Sequence, residues 1–267
     1  MKNRFLRSFV FCSSLILSFS VAMPAMADEP PASPTATPEF KPTPEIMAQM
    51  QLSQQLLTEW YPRINSLLYG DEHALPYEHI EIVLMPVFAQ GLENVIAYAS
   101  GNTIYVAADK AMDMMDSFQA MMIHELTHIN QHYPASTQPA AWVMEGIADY
   151  VRHKYFEKDI SATLRMNADA QLTGYQPDAP YFYMLEQQKT SLLTQGYLKT
   201  YTIASSFFYW LEMNKDKDIV RKLNLAMSKA EYSPALFEQY AGAPLDDLWR
   251  EFIQASVSAT AAQQLQQ

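Results

Sequence analysis

Cysteine is almost missing from this chain: Cys12 is the only one in 267 residues. No disulfide can form within it, so stability has to come from a packed core or a bound metal. Glycine is scarce as well, at seven residues, which leaves few of the tight turns a sheet-dominated chain needs. Basic residues are in deficit, 18 Lys+Arg against 29 Asp+Glu, for a net charge of −11. Phosphate backbones and anionic membranes repel such a chain, which excludes nucleic-acid binding as its role. Long hydrophobic runs are absent too. The one apolar stretch, Phe9 to about Val21, is too short to span a bilayer comfortably, and a polar, proline-rich segment follows it.

What surrounds that stretch gives it a meaning. Lys2, Arg4 and Arg7 precede it and Ala25-Met26-Ala27 follows, the small-x-small pattern a signal peptidase cuts. Residues 1–27 therefore read as a signal peptide, and the protein as exported, either periplasmic or secreted. A lipid anchor on Cys12 is disfavoured, because Phe9-Val10-Phe11 stand before it where small residues are required. Cleavage would remove the cysteine and three basic residues, leaving 15 Lys+Arg against the same 29 acids, a balance of −14. Residues 28–44, with six prolines and little that can pack, read as a disordered tether. A single domain is expected over 45–256, and a polar tail over 257–267.

Apolar residues Ile46, Met50, Leu56, Leu57, Trp60, Ile64, Leu67 and Leu68 recur at helical spacing, with Pro62 predicting a kink or two abutting helices. Glu78–Met85 has the alternation of a strand. Val95–Ala99 and Thr103–Ala107 flank Ser100-Gly101-Asn102, a good hairpin turn. Helical patterns follow near 110–133, 139–157, 180–194, 200–213, 217–230 and 244–256. The layout is α+β, a small antiparallel sheet followed by a mostly helical body.

One helical pattern carries chemistry. In Ile123-His124-Glu125-Leu126-Thr127-His128 the two histidines stand four apart, so both imidazoles reach one ion from one helix face. Glu125, about 100° around the helix, borders the same site and can contact a water held there. This is the HExxH arrangement of zinc hydrolases. Met122, Ile123 and Leu126 make the surrounding helix apolar, and two histidines and a glutamate buried without partners would cost several kcal/mol. A metal removes that cost.

A catalytic zinc needs a third protein ligand and one open position. Sixteen residues separate His128 from Glu145, which has Asp149 four residues beyond it on the same helical face. Glu145 can close the coordination while Asp149 accepts the outer N–H of a ligating histidine; the reverse assignment, Asp149 as ligand and Glu145 as helper, also satisfies the spacing. His132 is excluded, lying about 12 Å along the helix from His124. The metzincin pattern fails as well, with Gln131 and Pro134 where it needs Gly and His.

These segments, HELTHINQ followed by EGIADYVR, resemble the basic secretory protein family, plant-type secreted proteins grouped with gluzincin-like metallopeptidases. Tyr201-Thr202-Ile203-Ala204-Ser205-Ser206-Phe207-Phe208 is similar to that family's helix after its metal site, and Gly242–Phe252 to the closing helix of related peptidases. The resemblance spans roughly 45–255. It implies a zincin fold with His124, His128 and Glu145 as zinc ligands and Glu125 as base. Tyr201, which begins the family-like helix, is the candidate donor to a developing oxyanion. The strand Thr103–Ala107 is expected to offer its edge to an extended substrate.

The expected activity is hydrolysis of a peptide or protein substrate, with no nucleic-acid partner and no membrane insertion after signal removal. Two other readings use the same residues: a non-catalytic module keeping the zincin scaffold, and a metal-dependent amidase acting on cell-wall peptides. Glu125 favours an enzyme, since a scaffold has no use for a buried base. Met112-Asp113-Met114-Met115-Asp116 carries soft sulfur donors, but methionine is more often core filler. His79 and Glu81 read as a surface pair.

Overall fold

A computed structural model describes residues 41–88, 92, 95–134, 140–158, 195–198 and 201–264. The expected signal peptide, most of the expected tether and the expected helix at 180–194 lie outside them.

The first helix, α1 (Pro44–Tyr69), starts where chemistry favours a start: Thr43 caps it by accepting from the Ile46 N–H, Pro44 stands in the first turn, and Glu45 faces the positive helix end. Ile46, Ser53, Leu57, Trp60, Tyr61, Ile64, Asn65 and Leu68 form its buried stripe. The helix runs through Pro62 as one element rather than as two abutting helices. Proline removes a single intrahelical bond, and Trp60, Tyr61 and Ile64 around it are anchored in the core.

Three strands follow, β1 (Glu81–Met85), β2 (Ala97–Ser100) and β3 (Thr103–Ala107), in the order β1-β3-β2. β2 and β3 form the expected hairpin, with Gly101 at φ 58° allowing its turn. β1, however, pairs with β3 in parallel, so the sheet is mixed rather than antiparallel. β3 is consequently the central strand, and it has no free edge to offer a substrate. Ile104, Val106 and Ala97 are buried on the inner face.

The expected helix at 110–133 is broken. A short α2 (Ala108–Ala111) and a 3₁₀ segment (Met112–Ser117), non-helical at Met114, lead into α3 (Phe118–Gln131). Every residue of α3 from Ala120 to Gln131 is buried, so this helix is the centre of the domain. It is held to α1 near both ends. Gln119 bonds Gln49 and Ser53, and the Tyr69 hydroxyl donates to the Gln131 carbonyl at 2.7 Å.

The helix α4 (Ala141–Val151) packs against α3 and continues into a π-helical turn (Arg152–Glu157). Its other side meets α5 (Tyr201–Asn214) at very close range. A Cβ added at Gly146 would lie 2.7 Å from the Ala204 Cβ and 2.8 Å from the Phe208 ring, so only glycine fits. Among the described residues, the helices α6 (Ile219–Ser228), α7 (Ala235–Ala241) and α8 (Leu245–Gln264) complete the body. α7 is too short to show a period, and α8 runs past the expected boundary at 256. Trp142, Tyr197, Phe207, Phe237, Trp249 and Phe252 form an aromatic core among these elements. No helix among the described residues is long and apolar enough to cross a membrane.

Candidate metal centre

The i, i+4 spacing on α3 puts His124 and His128 on one buried face, and α4 brings Glu145 against them. His124 Nε2 lies 3.0 Å from His128 Nε2 and 3.2 Å from Glu145 Oε2, which is 3.3 Å from His128 Nε2. A tetrahedral zinc site with bonds of about 2.0–2.2 Å has ligand–ligand edges of roughly 3.3–3.6 Å; the three atoms lie at or a few tenths of an ångström inside that spacing, close enough to share one ion. Among the described residues this is the one group of His, Cys, Asp or Glu side chains that could hold a metal. Two imidazoles and one carboxylate are borderline-to-hard donors of a kind that suits a divalent ion such as zinc.

The outer nitrogens are also engaged. His124 Nδ1 lies 2.8 Å from Asp149 Oδ1, and His128 Nδ1 lies 2.8 Å from Gln131 Oε1. The geometry thus has Glu145 beside both inner nitrogens and Asp149 behind one ring, the first of the two arrangements the spacing allowed. Thr202 Oγ1 on α5 donates to Asp149 Oδ2 at 3.4 Å. The Arg152 guanidinium and His153 Nε2 each stand 3.8 Å from the same carboxylate, and Glu157 bonds both of those residues.

Charge pairing dominates the electrostatics of the site. Burial opposes a charge on His124, but the bonds to Asp149 and Glu145 outweigh it and push its pKa up to about 10. His128 is shifted upward as well; burial acts against the shift and the Glu145 charge drives it. Burial would raise Glu145 and Asp149, yet the neighbouring imidazoles hold both below the ordinary carboxylate range, Asp149 at about 2. Metal binding at these groups would compete with protons on the two imidazoles and so depend on pH.

Glu125 is fully buried on α3, and its charge acts on both histidines. The Tyr201 ring lies 6.2 Å from His124, tilted by 25°, so α5 brings this residue to the site. Other candidates stand apart. His132 caps α3 in a left-handed conformation with Nδ1 3.0 Å from the Tyr77 hydroxyl, while His79 and Glu81 form an exposed pair at 3.6 Å. Met112 is exposed and accepts a contact from the Thr43 hydroxyl.

Gln131, Thr202, Arg152, His153 and Glu157 surround the site without having been expected there. Gln131 was within reach of a spacing argument, one turn past His128, as were Arg152 and His153, three and four residues past Asp149. Thr202 was not, since its approach depends on how α5 packs.

A family described as peptidase of plants and bacteria matches the chain over residues 45–196 and 193–252. The chain belongs to this family. The match spans α1, the sheet and all three candidate ligands, and continues through α5 to α8 as far as Phe252. No curated protein and no solved structure matches the chain. Family membership and the buried His-His-Glu group together make this a peptidase-family protein with a site that could hold a metal.

Proposed function

We propose that the protein is an exported zinc-dependent peptidase of the gluzincin type. The observation that carries this reading is the convergence of His124 Nε2, His128 Nε2 and Glu145 Oε2 beside the buried Glu125. When bound, zinc supplies Lewis acidity, polarising a carbonyl and bringing the pKa of a water to near 7.

The rest is the work of side chains. Glu125 takes a proton from the attacking water and returns it to the leaving amine. Asp149 keeps the His124 ring oriented. The Tyr201 hydroxyl donates to the oxygen on which negative charge develops. An extended substrate lies along the outer edge of β2, which packs against α3 and pairs only with β3 among the described strands.

Metal analysis of the purified protein, together with hydrolysis of a denatured protein and its loss on chelation, tests the reading. A protein that holds zinc tightly but cleaves nothing would instead be a binding scaffold. Export is proposed from the basic, apolar and small-residue pattern of residues 1–27. Mass spectrometry of the protein from its native compartment should find Asp28 at the N-terminus, and a retained, lipidated Cys12 would refute this.

A further inference from the structure

We infer that Gln131 is a positioning residue that sets which nitrogen of His128 faces the metal. The inference rests on the metallopeptidase reading and extends it to a residue outside the ligand set.

Gln131 is the last residue of α3 and is 1 % exposed. Both ends of its amide are used. Nε2 donates to the Met144 carbonyl at 2.9 Å, and Oε1 lies 2.8 Å from His128 Nδ1. A backbone carbonyl can only accept, so the amide NH₂ must face Met144. The amide oxygen therefore faces the imidazole, and it too can only accept. Nδ1 of His128 must then carry a proton. In the neutral ring this leaves the lone pair on Nε2, the atom 3.0 Å from His124 Nε2 and 3.3 Å from Glu145 Oε2. Flipping the amide would leave the Met144 carbonyl facing an oxygen, a buried mismatch.

The identity of the anchor matters as much as the bond. Met144 immediately precedes Glu145 in α4, so Gln131 references the His128 ring to the backbone that carries the third ligand. His124 is referenced to the same helix through Asp149. Both imidazoles of α3 are thus aligned by α4, one through a carboxylate and one through a neutral amide. The amide performs this alignment without adding a further buried negative charge to Glu125, Glu145 and Asp149.

Two substitutions separate positioning from a merely structural tie between α3 and α4. Gln131→Met keeps the length of the side chain and removes both bonds. Gln131→Glu keeps an acceptor for Nδ1–H but has no donor for the Met144 carbonyl. Zinc affinity of each folded protein is measured by competition with a chromophoric chelator, and thermal stability of the metal-free forms is measured in parallel.

The inference expects Gln131→Met to bind zinc about 10–100-fold more weakly than the parent. Gln131→Glu should recover most of that affinity while remaining less thermostable than the parent. Parental affinity in Gln131→Met overturns the inference, and so does equal weakening in both variants. Should the variants fail to fold, long-range ¹H–¹⁵N spectra of the zinc-loaded parent decide the matter. They should show His128 protonated at Nδ1, and a proton on Nε2 overturns the proposal. A parent that binds no zinc sinks the metallopeptidase reading itself, whereas a zinc-binding parent matched by Gln131→Met sinks only the role of Gln131.

Discussion

Asp149 and His124 are joined across the α3–α4 interface, Oδ1 lying 2.8 Å from Nδ1, while the opposite nitrogen of the same ring faces Glu145 at 3.2 Å. One imidazole is thus gripped on both sides by carboxylates of a single helix. Asp149→Ala should weaken zinc binding about 10–100-fold by leaving the ring unoriented. Glu145→Ala should weaken it more, because a ligand is lost. Chelator competition on both variants checks the order, and a larger loss in Asp149→Ala would exchange their roles.

The same contacts make the metal-free protein sensitive to pH. The His124 pKa rises from 6.5 to about 10 on folding, so its contribution to stability is fully present below pH 6.5 and is lost as pH rises through about 10. Asp149 falls from 3.8 to about 2, so its contribution is present above pH 3.8 and is lost as pH falls through about 2. Denaturant unfolding of the metal-free protein should therefore show lower stability at about pH 9 than at about pH 6. Asp149→Ala should flatten that difference. An equal slope in parent and variant would contradict the assignment.

Tyr201 lies beside His124 but is not among the three candidate ligands. Tyr201→Phe should leave zinc affinity unchanged and lower kcat by about 10²–10³-fold, the usual cost of removing one oxyanion donor. Steady-state kinetics with a parallel metal titration checks this. Unchanged kcat would make the ring a packing residue.

Gly146 is where α4 meets α5, and a Cβ there has no room, with Ala204 at 2.7 Å. Gly146→Ala should destabilise the fold by about 1–3 kcal/mol through overpacking, read from denaturant midpoints. The adjacent Glu145 should be displaced, so zinc binding should weaken along with stability.

What the sequence revealed and what it concealed divide along physical lines. The i, i+4 pairs at His124/His128 and Glu145/Asp149 were legible because helical periodicity is a local property. The same holds for the β2–β3 hairpin, set by a turn of a few residues. The parallel pairing of β1 with β3 was not, since strand order depends on contacts far apart in the chain. Pro62 allows either a kinked helix or two abutting ones, and the buried residues around it keep a single helix. In sequence, Gln131 stands out only as the residue at the position where a metzincin has glycine. Its contact with His128 follows from spacing on α3, whereas its bond to the Met144 carbonyl emerges only once α4 is docked on α3.

The central claim is that this is a zinc peptidase with Glu125 as its base, and Glu125→Gln tests it most directly. The amide matches the carboxylate in shape but cannot take a proton, so the variant should keep its zinc and its fold. Hydrolysis of a denatured protein substrate should fall by about 10²–10⁴-fold, the usual cost of losing general-base catalysis. Zinc content and turnover measured on the same preparation give the answer. A zinc-loaded Glu125→Gln protein that hydrolyses substrate at the parental rate would contradict the account.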